Sequence, residues 1–81
     1  MKSFFLDGAQ METREKAHEY LAKTLGFPDY YGKNLDALFD CLTEMPKTEM
    51  MVLYSSAIDA GIKDVMIKAS EENPKLTVYL A

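Results

Sequence analysis

The chain has no tryptophan, a single histidine, His18, and a single cysteine, Cys41, in its 81 residues. A lone cysteine excludes an internal disulfide and points to a reducing compartment, where the fold must hold without covalent staples. One histidine and one cysteine also exclude Cys/His metal-ligand spacing, and no P-loop, GxGxxG or Ser/His/Asp pattern is present. No cofactor, metal or catalytic role is therefore expected. Positive charge is in short supply too: 9 Lys+Arg stand against 13 Asp+Glu, a formal charge of −4, with no basic cluster. Nucleic acid and anionic membrane, which need cationic surface, are disfavoured as direct partners. A basic protein is not. No apolar run is long enough to cross a bilayer. The opening Met1-Lys2-Ser3-Phe4-Phe5-Leu6-Asp7 meets an acid too early for a secretory signal, so a cytoplasmic address is expected. The length suits one small domain, residues 1–81, and leaves no room for a cleft between two.

What is present is an ordinary globular composition, 48% apolar and 27% charged. Phe4-Phe5-Leu6 belongs to a first strand stopped by Asp7-Gly8. Thr13 suits an N-cap, with Glu15 in the first turn. Ala17, Leu21 and Leu25 then recur every fourth residue, with Tyr20 beside them, until Gly26 and Pro28 end the helix. After a loop with two adjacent tyrosines, Tyr30 and Tyr31, Asn34 caps a second helix. Its stripe is Leu35, Leu38, Phe39 and Leu42, with Met45 as the outermost member before Pro46. Met50-Met51-Val52-Leu53-Tyr54 is continuously apolar and predicts a strand covered on both faces. Ser55 or Ser56 is the expected cap of a third helix with Ile58, Ile62, Val65, Met66 and Ala69 buried, and Gly61 as a point of interruption. Asn73-Pro74 ends it, and Leu76–Leu80 reads as the last strand. The order β, α, α, β, α, β predicts an α/β fold: a parallel sheet of about three strands packed with helices.

On the second helix Asp36 and Asp40 stand one turn apart and face the same way. Like charges at that spacing cost a few tenths of a kcal/mol, and aspartate is a poor mid-helix residue. Local folding energetics do not account for Asp40. The pair reads either as a solvated helix face or as a negative patch for a cationic partner. The neighbouring Tyr30 and Tyr31, and Phe39 at the edge of the stripe, add the aromatic area typical of an interface, although loop tyrosines also serve as lids over a core. Two acids on adjacent turns of one helix lie on the same side of any substrate, which argues against acid–base hydrolysis. His18 is expected to be a partly exposed structural histidine. Cys41, between Asp40 and Leu42, is expected to be an inert boundary residue.

The run Phe27-Pro28-Asp29-Tyr30-Tyr31-Gly32-Lys33-Asn34-Leu35-Asp36-Ala37-Leu38-Phe39-Asp40-Cys41-Leu42-Thr43 resembles the barstar family of intracellular inhibitors of a secreted bacterial ribonuclease. Asp7-Gly8 through His18 aligns with the family more loosely, and downstream only the strand–helix–strand pattern is kept. The resemblance implies a small parallel sheet flanked by helices. It also implies that the second helix and its preceding loop enter the nuclease active site, where acids stand in for RNA phosphates. Carried over, Asp40 is the central acid, Asp36 a rim acid, and Tyr30 the aromatic that covers a histidine of the enzyme. Gly32, Asn34, Leu35 and Thr43 are smaller contacts, with Phe39 beside them. The family prototype has tryptophan where Phe39 stands and an aromatic near Met45, and its further acid on the last helix aligns with Lys68. The expected partner is a basic, extracellular-type ribonuclease, bound by a chain that is a monomer when free. A second reading is a non-inhibitory interaction module that uses the same acidic face on another basic protein.

Overall fold

Three short strands carry the chain's buried apolar alternation. The computed structural model describes residues 1–81. β1 spans Lys2–Asp7, β2 spans Thr48–Leu53 and β3 spans Leu76–Leu80. They form one parallel sheet in the order β1-β2-β3. Its helices are α1, Arg14–Leu25, and α2, Leu35–Thr43, between β1 and β2, and α3, Ala60–Glu72, between β2 and β3. This is the predicted order and class.

Local chemistry sets each boundary. Thr13 Oγ1 accepts from the Lys16 N–H at 3.2 Å to open α1, and Gly26, at φ 73°, closes it in the left-handed conformation glycine adopts freely. Asn34 Oδ1 accepts from the Ala37 N–H at 2.8 Å to open α2. The cap of α3 is Asp59, not the expected Ser55 or Ser56. Its carboxylate accepts from the Ile62 N–H at 3.1 Å and pairs with Arg14 at 3.1 Å, while Ser55–Ala57 forms a separate 3-10 turn. A charged cap that also binds a guanidinium offers more than a serine hydroxyl. Gly61 does not interrupt α3; a Cβ there would collide with the Arg14 guanidinium. Met45 lies past the end of α2, half-buried against the core, because the helix stops at Thr43.

The sheet is two-sided in a way the sequence does not announce. Strands that follow one another in space and in sequence, joined by right-handed crossovers, receive all their helices on one face. Accordingly Thr48, Met50 and Val52 of β2 are buried, whereas the alternate Met51 and Leu53 are exposed. The expectation of a strand covered on both faces is thus corrected. Tyr54 lies beyond the strand, exposed, at φ 54°. The core is Leu6, Met50, Val52 and Leu76 beneath Ala17 and Leu21 of α1, Leu38 and Leu42 of α2, and Ile62, Met66 and Ala69 of α3.

One buried polar side chain ties the helices together. Asn73 Nδ2 donates to the carbonyls of Leu42 at 3.1 Å and Met45 at 3.0 Å, and its Oδ1 accepts from the Lys75 N–H at 3.0 Å. It thereby satisfies the Met45 carbonyl just past the end of α2, and adds a second donor to the Leu42 carbonyl, which also accepts from the Met45 N–H at 3.3 Å. Asn73→Ala strands the Met45 carbonyl, so urea unfolding should show a loss of about 1–3 kcal/mol.

Candidate functional site

The loop between α1 and α2 is pinned from below. Tyr31 is buried, its hydroxyl 2.6 Å from His18 Nδ1 of α1, its ring tilted against Phe27 at 4.9 Å, and its N–H donating to the Pro28 carbonyl. His18 is buried as well, only 4% exposed, not the partly exposed residue expected. Burial holds its pKa below the usual 6.5, with the Arg14 charge acting in the same direction. Burial likewise pushes the Tyr31 hydroxyl up to about 12. The two neighbouring tyrosines therefore divide the labour: Tyr31 anchors, and Tyr30, 88% exposed, is presented to solvent. Of the two uses open to loop tyrosines, Tyr31 takes that of a lid over the core, and Tyr30 that of open contact area.

α2 rises from this loop. Leu38 and Leu42 are buried; Leu35 and Phe39 are half-buried against the core; Asp36 and Asp40 are exposed. Neither acid is paired within the chain, whose two ion pairs are Arg14–Asp59 and Lys68–Asp64. Thr43 Oγ1 turns back to donate to the carbonyls of Phe39 and Asp40, at 2.9 and 3.1 Å. Asn34 Nδ2 reaches the Gly32 carbonyl at 3.3 Å, so the cap also braces the loop.

A groove of about 490 Å³ opens between the loop and α2, with Phe27, Tyr30, Gly32, Asp40, Glu44 and Met45 among its lining residues. Lys2 of β1 is its one base. Asn34 and Leu35 instead line a second hollow of about 400 Å³, with Arg14, His18 and Lys33. Of the residues singled out in the sequence, Tyr30, Gly32 and Asp40 thus share one concavity. Asp36, Phe39 and Thr43 sit on α2 outside both.

Glu44 was not foreseen. It follows Asp40 by another four residues and stands at the C-cap of α2, whose last turn holds no basic residue. The signal was available, since the acid spacing 36, 40, 44 continues unbroken. An acid at that end opposes the helix dipole, as Asp40 defies helix propensity. Burial, then the charges of Glu44 and Asp40, raise the Cys41 pKa, which keeps the thiol protonated and poorly nucleophilic. No three His, Cys, Asp or Glu side chains gather as metal ligands. No helix is long and apolar enough to cross a membrane.

Residues 1–76 match the family model described as "Barstar (barnase inhibitor)". The chain belongs to the barstar family. It is also 54% identical over 81 residues to the "Putative ribonuclease inhibitor YrdF" of Bacillus subtilis (strain 168), an alignment that covers 89% of each chain. Barstar membership agrees with the parallel three-stranded sheet and three helices.

Because His18 titrates lower when folded, the unfolded chain binds the extra proton first. Stability is complete above about pH 6.5 and falls as the pH drops below that value. Urea midpoints measured from pH 7.5 to 5 should decline for the wild type, with a shallower slope for His18→Gln.

Proposed function

We propose that this protein is a non-catalytic inhibitor of a cognate basic ribonuclease, and that it acts inside the producing cell by seating α2 and the Tyr30 loop in the nuclease active site. One observation carries the reading: Asp36 and Asp40 are exposed on α2 and neither is in an ion pair within its own chain. Unpaired carboxylates cost the helix stability and leave their charge free for a partner. A ribonuclease active site must hold phosphates with cationic side chains, and these acids stand in for those phosphates. Asp40 lies in the groove beside Tyr30 and forms the centre of the contact; Asp36 is at its rim. Gly32, Asn34, Leu35, Phe39 and Thr43 supply the surrounding shape. The summed negative charge speeds encounter at low salt, and the desolvated acid then slows release. Such an inhibitor confers immunity to the cell's own nuclease.

The Lys68–Asp64 pair, at 3.1 Å, favours a second reading. It leaves no uncompensated acid at position 68 or 64 of α3, so a non-nuclease basic protein that touches α2 alone fits equally well.

Titration into a cleavage assay of a small basic bacterial ribonuclease decides between them. Stoichiometric loss of cleavage at low salt supports inhibition. Cleavage that persists against every such nuclease under excess protein overturns it. Asp40→Ala should weaken the complex by about 2 kcal/mol, roughly 30-fold in Kd, and Asp36→Ala by about 0.5–1 kcal/mol. Neither variant should lower the melting temperature. For Asp40→Ala a small rise is expected, because alanine is the better helix former.

A further inference from the structure

The face of the sheet turned away from the helices carries a continuous apolar row. The register pairs Phe5 with Met51 and Met51 with Tyr79, one residue from each strand, and Leu53 stands one step along on β2. Phe5 is 75% exposed, Tyr79 48%, Leu53 43% and Met51 36%. These four are close to half of the chain's large exposed apolar side chains, and they share one surface. Scattered apolar residues are normal on a protein surface; a contiguous row is not. Together they offer on the order of 400 Å² of apolar surface. With their polar neighbours, two such faces laid together bury on the order of 1,000 Å², the lower bound for a specific interface.

We propose that this face is the interface of a two-fold symmetric dimer of the chain. Charge selects both the occupant and the geometry. The outward positions are Ser3, Phe5, Asp7, Glu49, Met51, Leu53, Thr77 and Tyr79, with no lysine or arginine among them, so an anionic surface finds no counter-charge. The Asp7 carboxylate is already spent on the Ala9 N–H at 2.9 Å. Glu49, half-buried at the start of β2, is the remaining acid. A two-fold axis along the strands places Glu49 against the partner copy's own Glu49, which repels. An axis along the Phe5–Met51–Tyr79 row instead places Glu49 over the Leu53 end of the other copy's β2 and stacks each member of the row on its counterpart. Two sheets then meet at roughly 10 Å, the spacing of packed sheets, with aromatic pairs at both ends and methionine sulfur between them. Such an isologous contact closes at two copies and leaves no surface for further growth. It occupies the side opposite α2, so Asp36 and Asp40 stay open on both copies. The proposal is independent of the inhibitor reading.

Analytical ultracentrifugation between about 5 µM and 0.5 mM tests it, a range suited to a contact of this size. The expected result is a rise in mass from the 9.2 kDa chain to twice that value and no further. Phe5→Lys and Met51→Glu, both at exposed positions, should keep the wild-type circular dichroism and raise the dimer Kd by at least about 30-fold. Ile67→Lys, on α3 and 38% exposed, should leave self-association unchanged. A single 9.2 kDa species at all concentrations overturns the proposal, as do open-ended aggregates. Dimers that survive in both folded sheet variants overturn it equally.

Discussion

Parallel strands that neighbour one another in chain order leave their connecting helices no choice of side. Both crossovers of this sheet turn the same way, and α1, α2 and α3 all pack on the face that carries Leu6, Met50, Val52 and Leu76. Much else follows from that constraint. α2 lies over the core by Leu38 and Leu42, so the opposite side of the same helix must face solvent, and there the chain has placed carboxylates. The constraint also leaves the far side of the sheet uncovered, because all three helices lie on the other side.

The candidate site is built where folding gains least. The acids at 36, 40 and 44 repel one another, and the last of them opposes the helix dipole. The support comes from elsewhere. Asn73 secures the carbonyls at the end of α2, Asn34 secures its beginning, and the buried His18–Tyr31 pair fixes the loop that leads into it. A rigid support matters for recognition: groups held in place before encounter lose little entropy on binding. The same support explains why one tyrosine of an adjacent pair is buried and the other almost fully exposed. With Tyr31 committed to the interior, Tyr30 has only solvent to face.

Barstar membership and this architecture agree on the scaffold, and the chain's own chemistry sets its particulars. Phe39 keeps an aromatic ring half-buried on α2. Lys68 is balanced by Asp64 one turn earlier and leaves α3 locally neutral. On α2 the carboxylates of Asp36 and Asp40 are outside the chain's ion pairs, and Glu44 extends the acidic row by a turn.

The amino-acid sequence by itself determined the element order, the boundaries at Thr13, Gly26, Asn34 and Asn73, and the exposure of Asp36 and Asp40. Each follows from periodicity or from a cap that acts within a few residues, and such short-range rules are legible in a string of letters. It also carried the family resemblance, in the run from Phe27 to Thr43. Tertiary structure alone decided which of two adjacent tyrosines is buried, since that depends on His18, thirteen residues away. It decided the cap of α3, where Asp59 prevails through Arg14, forty-five residues distant. It also decided that β2 is covered on one side only. An unbroken apolar run looks the same whether helices flank a sheet on two faces or on one; only the strand order and the hand of the crossovers tell them apart.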